Sequence, residues 1–117
     1  EFGAITVDAV PAYNIVNTRF HEKGVGNGYV LHFGELRVYV AGDTEDIPEM
    51  AALKGVDVAF LPCDGTYTMT LGMLTKAVAM VQPRILYPYH SNDANMAKVE
   101  EALKAFPGTE TRIRPMK

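Results

Sequence analysis

The sequence predicts an α/β fold in which helices cover a mixed β-sheet. Three patterns support this: alternating apolar and polar residues near the N-terminus, a hairpin signal before the middle of the chain, and two apolar runs separated by helical patterns further on. Strands joined by hairpins pair antiparallel, whereas strands joined through helices usually pair parallel. The predicted order is three strands, then helix, strand, helix, strand, helix and a final strand.

The first three strands are predicted in the N-terminal forty residues. Residues 5–10 alternate between apolar and polar side chains, and we expect Pro11 to end that strand. Residues 12–27 carry no sustained period and contain several glycines, so they predict a long loop. The next two strands flank Gly34 and Glu35, a pair that is typical of a tight hairpin.

Helices and further strands are predicted after the hairpin. Pro48 suits the first turn of a short helix and Gly55 its end. Residues 56–61 and 85–87 are nearly continuous apolar runs, which are typical of strands buried on both faces. Residues 111–113 predict a short last strand.

Two longer helices are predicted from apolar residues at intervals of three and four positions. Thr70 is suited to cap the first of them, and Asn92 or Asp93 the second. The apolar positions that define the two helices are Leu71, Leu74, Val78 and Val81, and then Met96, Val99, Leu103 and Phe106.

Composition indicates one globular domain. The chain has 117 residues, of which 48% are hydrophobic and 21% charged, and a formal net charge of −3 without a Lys/Arg run. These values argue against a nucleic-acid or membrane partner. One cysteine rules out a disulfide within the chain, and neither a signal peptide nor a membrane span is recognisable. We therefore expect a cytoplasmic chain, with further residues upstream because Glu1 is not an initiator Met.

Two residues are candidates for metal binding. Asp43 and His90 each follow a predicted strand at its C-terminal end, where open α/β sheets tend to bind ligands. Carboxylate and imidazole are suitable ligands for zinc, manganese or iron. The ordinary alternatives are a turn residue and a hydrogen-bonded histidine, and spacing alone favours these alternatives. Cys63 also follows a predicted strand, and packing explains it more simply than metal binding does.

Residues of the predicted long loop are candidates for substrate binding. Tyr13, Asn14, His21 and Lys23 could line a substrate pocket or contact an anionic group. A solvated surface loop explains them equally well. His32 alternates with apolar neighbours and is expected to face solvent from a hairpin strand.

Seven stretches, in the same order along the chain, resemble those of the metallo-β-lactamase superfamily of metal-dependent hydrolases. No single stretch would be specific for this superfamily, but the occurrence of all seven in the same order is. The stretches are Val10-Pro11-Ala12-Tyr13-Asn14, His21-Glu22-Lys23-Gly24-Val25-Gly26, Tyr39-Val40-Ala41-Gly42-Asp43-Thr44, Ile47-Pro48-Glu49-Met50, Val56-Asp57-Val58-Ala59-Phe60-Leu61-Pro62, Thr66-Tyr67-Thr68-Met69 and Tyr87-Pro88-Tyr89-His90.

This resemblance implies a fold and a ligand set. It identifies residues 1–117 with the C-terminal half of an αββα sandwich, in which Asp43 resembles the carboxylate that bridges two metals and His90 a ligand of the second metal. The family's His-x-His-x-Asp-His cluster is absent, because the chain has only His21, His32 and His90, none of them close in sequence. A zinc site needs three or four protein ligands, so this chain should be incomplete.

The expected function follows from the resemblance. In the intact arrangement a divalent metal, with zinc first and manganese or iron as alternatives, would activate water to attack an ester, amide, lactone or phosphoester of a small molecule. Tyr13, Asn14, His21 and Lys23 would contact that substrate. The chain by itself is expected to lack full activity and to bind metal weakly or not at all. The alternative is a non-catalytic half-domain that forms a homo-oligomer or pairs with a missing N-terminal half.

Overall fold

The structure, a computed structural model, describes residues 5–15, 26–63, 68–89 and 93–112, with the backbone alone at residue 5 and at residues 93–96. No helix in these segments is long and apolar enough to cross a membrane. The elements are β1 (Ile5–Ala12), β2 (Gly26–Phe33), β3 (Leu36–Val40), a 3₁₀ helix (Pro48–Leu53), β4 (Val58–Pro62), α1 (Leu71–Val81), β5 (Ile85–Tyr89), α2 (Asp93–Leu103) and β6 (Glu110–Thr111).

The strands form one mixed sheet in chain order, β1-β2-β3-β4-β5-β6. The first three strands pair antiparallel. The pairs from β3 to β6 are parallel, and each parallel connection passes through a helix. The predicted α/β class and the predicted order of strands and helices are therefore confirmed.

The hairpin between β2 and β3 is confirmed at the predicted position. Phe33 and Leu36 are paired, so Gly34 and Glu35 form a two-residue turn. Gly34 has a positive φ of 62° and Glu35 does not, which is the pattern of a type II′ turn. Glycine is favoured at the first turn position because it reaches positive φ without a steric penalty.

Two expectations about the N-terminal strands are wrong. β1 does not end at Pro11, which pairs with Asn27. The reason is that β1 lies at the edge of the described sheet. One side of an edge strand forms no hydrogen bonds with a neighbouring strand, so a proline, which lacks the backbone N–H, is tolerated there. The predicted loop also ends earlier, because β2 begins at Gly26. A Cβ on Gly28 would lie 2.5 Å from the Ala41 carbonyl oxygen, so this glycine permits a close backbone approach.

The predicted helices are present. Thr70 caps α1, accepting a hydrogen bond from the Met73 backbone N–H at 3.2 Å, as predicted. Gln82, with a left-handed φ of 46°, ends it. The short helix after Pro48 is a 3₁₀ helix, and Gly55 follows it at a φ of 86°.

The two faces of the sheet differ in burial. On the face that we call the covered face, strand residues pack into one core with residues of the 3₁₀ helix, α1 and α2. On the other, the open face, side chains remain partly or largely exposed. The covered face includes Val10, Val30, Tyr39, Ala59, Leu61 and Leu86, and the open face includes Val7, Tyr29, Phe33, Leu36, Val58, Phe60, Ile85 and Tyr87.

The apolar runs predicted that β4 and β5 are buried on both faces. This prediction is wrong for the described residues. Residues of both strands alternate instead between buried and partly exposed, as Ala59 and Phe60 illustrate. The physical reason is that the described helices all bury their apolar sides against the covered face.

Candidate metal centre

Asp43 lies on a turn at the C-terminal end of β3. The Ala41 backbone N–H donates to the Phe60 carbonyl at 3.1 Å, so pairing with β4 continues one residue beyond the strand. Gly42 then turns the chain with a φ of 75°. The Asp43 side chain is exposed at this edge. The sheet therefore presents a carboxylate where the parallel strands end, the usual position of ligand sites in open α/β sheets.

The end of β5 reaches the same turn through Tyr89. Its hydroxyl donates a hydrogen bond of 2.6 Å to the Gly42 carbonyl oxygen. Burial, together with the nearby negative charge of Asp43, raises the pKa of the Tyr89 phenol well above its usual range. Both observations place Tyr89 beside Asp43. His90 is the next residue in the sequence, although it lies outside the described residues.

The other side of the turn is held by Thr44. Its hydroxyl oxygen accepts from the Tyr13 backbone N–H at 3.0 Å and lies 2.9 Å from the Tyr13 carbonyl oxygen, to which it donates. The Glu45 backbone N–H donates to the same carbonyl at 3.0 Å. The Glu45 carboxylate is buried and accepts from the Ile15 backbone N–H at 2.7 Å. Residues 13–15 are thus tied to the segment that follows Asp43.

Tyr13 and Glu49 connect this network to the 3₁₀ helix. The Tyr13 hydroxyl donates to a Glu49 carboxylate oxygen at 2.6 Å. That hydrogen bond, with burial and the negative charge of Glu49, raises the pKa of Tyr13 to about 12. Tyr39 is also close enough to Glu49 to be affected by its charge. Burial is the main cause that raises the pKa of the Tyr39 phenol, and the negative charge of Glu49 is the second. Its hydroxyl has no hydrogen-bond partner among the described residues.

The predicted site residues fall into three groups. Asp43 is exposed at the expected edge of the sheet. Tyr13 and Asn14 were predicted to contact substrate. They belong to the segment that is tied to the Asp43 turn, but they are only 7% and 3% exposed. His21, Lys23 and His90 lie outside the described residues, so the proximity of His90 to Asp43 stays a prediction.

The described donors suit a divalent metal in type but not in number. A carboxylate at the sheet edge is a good ligand for zinc, manganese or iron. However, residues 5–15, 26–63, 68–89 and 93–112 bring together no group of three His, Cys, Asp or Glu side chains. Cys63 is buried with its thiol 3.4 Å from the Tyr89 carbonyl oxygen, to which it donates. Further ligands would have to come from outside the described residues.

Four residues around the turn were not anticipated from the sequence: Thr44, Glu45, Glu49 and Tyr89. A weak signal existed for Thr44 and Glu45, because a polar run directly after a strand end is typical of a turn that bonds its own neighbourhood. Tyr89 lies in one of the stretches that resemble the superfamily, but no local pattern indicated its role. Its role depends on a hydrogen bond to Gly42, 47 positions earlier in the sequence.

The sequence and the structure are both similar to known proteins. A family profile described as a beta-lactamase superfamily domain matches residues 1–90. A UPF0173 metal-dependent hydrolase of Pyrococcus horikoshii is 33% identical over 96 residues, which are 79% of this chain and 43% of that protein.

Two solved structures extend this similarity. A crystal structure described as a metal-dependent hydrolase from Parabacteroides distasonis superposes with a TM-score of 0.92 at 46% identity, over 100% of this chain and 54% of that one. The metallo-beta-lactamase fold protein YhfI from Bacillus subtilis superposes with a TM-score of 0.69 at 15% identity, over 97% of this chain and 48% of that one, which supports the fold alone. The chain spans about half the length of the relatives that it matches.

Proposed function

The chain belongs to the β-lactamase superfamily, and from that premise we propose that it forms the C-terminal half of a metal-dependent hydrolase and contributes Asp43 and His90 to the metal site. The observation that carries this proposal is the position of Asp43. It lies on an ordered turn at the C-terminal end of β3, and the Tyr89 side chain joins that turn to the end of β5. His90 directly follows Tyr89.

The chain's own residues would orient the site. Asp43 would supply a carboxylate ligand and His90 an imidazole, and zinc suits both, with manganese or iron as alternatives. Such a metal supplies Lewis-acid polarisation and a nucleophilic water at neutral pH. The remaining ligands would come from an N-terminal half with the His-x-His-x-Asp-His cluster. Tyr13, Asn14, His21 and Lys23 are our candidates for contacts with a small-molecule ester, amide, lactone or phosphoester.

Metal analysis of matched variants tests the ligand assignment. The double variant Asp43→Asn/His90→Ala should lose bound zinc after metal loading, measured by elemental analysis on a longer gene product that contains the 117-residue chain. The matched control is Asp8→Asn/His32→Ala, because these side chains form a carboxylate–imidazole pair, 2.7 Å apart, on β1 and β2, away from the proposed site. If the unchanged longer gene product binds zinc, equal zinc content in its two double variants would contradict the proposal.

A second candidate function is that of a non-catalytic module that pairs through its open face. The observation in its favour is that large apolar side chains stay exposed there: Val7 by 54%, Tyr29 by 45%, Leu36 by 43% and Phe33 by 41%. Patches of this kind commonly mark an interface. The occupant would be a second copy or a preceding half-domain. The intact mass of the source protein, compared with the start of its gene, separates the two functions. An upstream His-x-His-x-Asp-His segment in the protein would favour the hydrolase.

A further inference from the structure

The turn that carries Asp43 is held from both sides by hydroxyl groups. Before Asp43, the Gly42 carbonyl oxygen accepts the Tyr89 hydroxyl at 2.6 Å. After it, the Thr44 hydroxyl bridges the backbone N–H and carbonyl of Tyr13 at 3.0 and 2.9 Å. The Asp43 side chain between them is exposed.

The two restraints differ in what they connect. Thr44 is fully buried and ties the turn to the segment after β1. Tyr89 belongs to β5 and ties the turn to the strand that leads directly into His90. A shift of β5 relative to β3 would therefore move the Gly42 peptide as well. The Asp43 turn and the C-terminal end of β5 are therefore coupled through one side chain.

We propose that Tyr89 is a positioning residue, which holds the Asp43 carboxylate in place beside the end of β5 through its hydrogen bond to the Gly42 carbonyl, with Thr44 as the second restraint on the same turn. This rests on the proposed metal site. Groups that orient metal ligands without touching the metal are commonly needed for tight binding, and their loss typically weakens metal affinity by roughly 10- to 100-fold.

Tyr87 provides the matched control for Tyr89. It lies two positions earlier on β5, and its hydroxyl accepts from Arg112 at 3.0 Å rather than contacting the Asp43 turn. Tyr89→Phe and Tyr87→Phe each remove one hydroxyl from the same strand. In a longer gene product that binds zinc, Tyr89→Phe should weaken zinc binding roughly tenfold by titration calorimetry. The Tyr87→Phe variant should bind as the unchanged chain does.

A readout without metal keeps this inference separate from the proposed function. In the metal-free chain, Tyr89→Phe should shift the amide resonances of Gly42, Asp43 and Thr44 and lower their order parameters, whereas Tyr87→Phe should leave them unchanged. Thr44→Val should lower the order parameters of the same three residues. Thr44→Ser should leave these order parameters as in the unchanged chain, since serine keeps the hydroxyl.

The outcomes are distinct. If neither the unchanged chain nor its longer gene product binds zinc, the proposed function fails, while the resonances still report whether Tyr89 holds the turn. If zinc binds and Tyr89→Phe matches the unchanged chain in both affinity and resonances, Tyr89 does not position Asp43. If the resonances move but the affinity does not, the hydrogen bond supports the fold of the turn alone, and the positioning role is overturned.

Discussion

The covered and open faces of the sheet are made of similar apolar residues but have opposite surroundings. Tyr39 on the covered face is fully buried although it carries a hydroxyl, while Phe33 on the open face is 41% exposed although it carries no polar atom. Side-chain polarity therefore does not decide which face is buried in this chain. The position of the helices does, since the described ones pack against the covered face.

The comparison also separates two kinds of side-chain interaction. The covered side contains a polar network in which Tyr13, Thr44, Glu45 and Glu49 are linked by short hydrogen bonds. The described open face has aromatic contacts such as the stacked rings of Phe60 and Tyr87, whose centroids lie 5.0 Å apart. The covered side should thus govern the stability of the chain, and the open face its association.

The largest expected effect is on the covered face. Leu61→Ala should lower the free energy of unfolding by about 2–5 kcal/mol, because it leaves a cavity around a fully buried side chain. Leu36→Ala makes the same chemical change on the open face, where the side chain is 43% exposed, and should cost less than about 1 kcal/mol. Urea unfolding measures both. Equal losses would mean that the open face is as well packed as the covered one.

A smaller effect is expected in the polar network. Tyr13→Phe removes a hydrogen bond to a carboxylate and should cost about 1.5–2 kcal/mol at pH 8. The pKa of Tyr13 is about 12 in the folded chain against 10.0 ordinarily, so the stabilisation is complete below pH 10 and is lost as the pH rises through 12.

The pH dependence supplies the test of this prediction. The difference in unfolding free energy between the unchanged chain and Tyr13→Phe should shrink between pH 8 and about pH 11.5. Tyr29→Phe is the control, because Tyr29 lies on the open face with 45% exposure. A difference that stays constant with pH would argue against the hydrogen bond to Glu49.

The open face should control self-association. Light scattering over a concentration series should detect oligomers, and Tyr29→Lys/Phe33→Lys should weaken association about tenfold, equivalent to about 1.4 kcal/mol. Ala79→Lys/Ala105→Lys adds the same charge at exposed positions on the helical side and should have no effect. A chain that stays monomeric at millimolar concentration would refute the prediction that this face is an interface.

The smallest expected effect is that of metal removal. The core of the covered face is built from apolar side chains of the sheet and the helices, so we expect that folding does not depend on a metal ligand set. Circular dichroism should show the same helical signal with and without EDTA, unlike a zinc finger. Loss of most of that signal on chelation would show that metal holds the chain together.

Local patterns were sufficient to predict most of the elements. The glycine turn between β2 and β3, the Thr70 cap and the spacing of Leu74 and Val78 each depend on residues close in sequence. The edge position of Asp43 was also predictable, because a carboxylate that follows a strand must lie at that strand's end. These features need only the periodicity of helices and strands and the stereochemistry of glycine.

Tertiary structure decided the rest. Pro11 is tolerated in β1 because that strand lies at the edge of the described sheet, and position 28 favours glycine because a Cβ there would clash with the Ala41 carbonyl oxygen. The hydrogen bonds from Tyr89 to Gly42 and from Tyr13 to Glu49 join residues 47 and 36 positions apart. An apolar run indicates that a strand is suited to burial. Which of its faces becomes buried depends on where the connecting helices pack. Such long-range placement has no local signature. An uncovered face was expected from the resemblance to half of a sandwich, but which residues lie on it, and what restrains Asp43, emerged only from the fold.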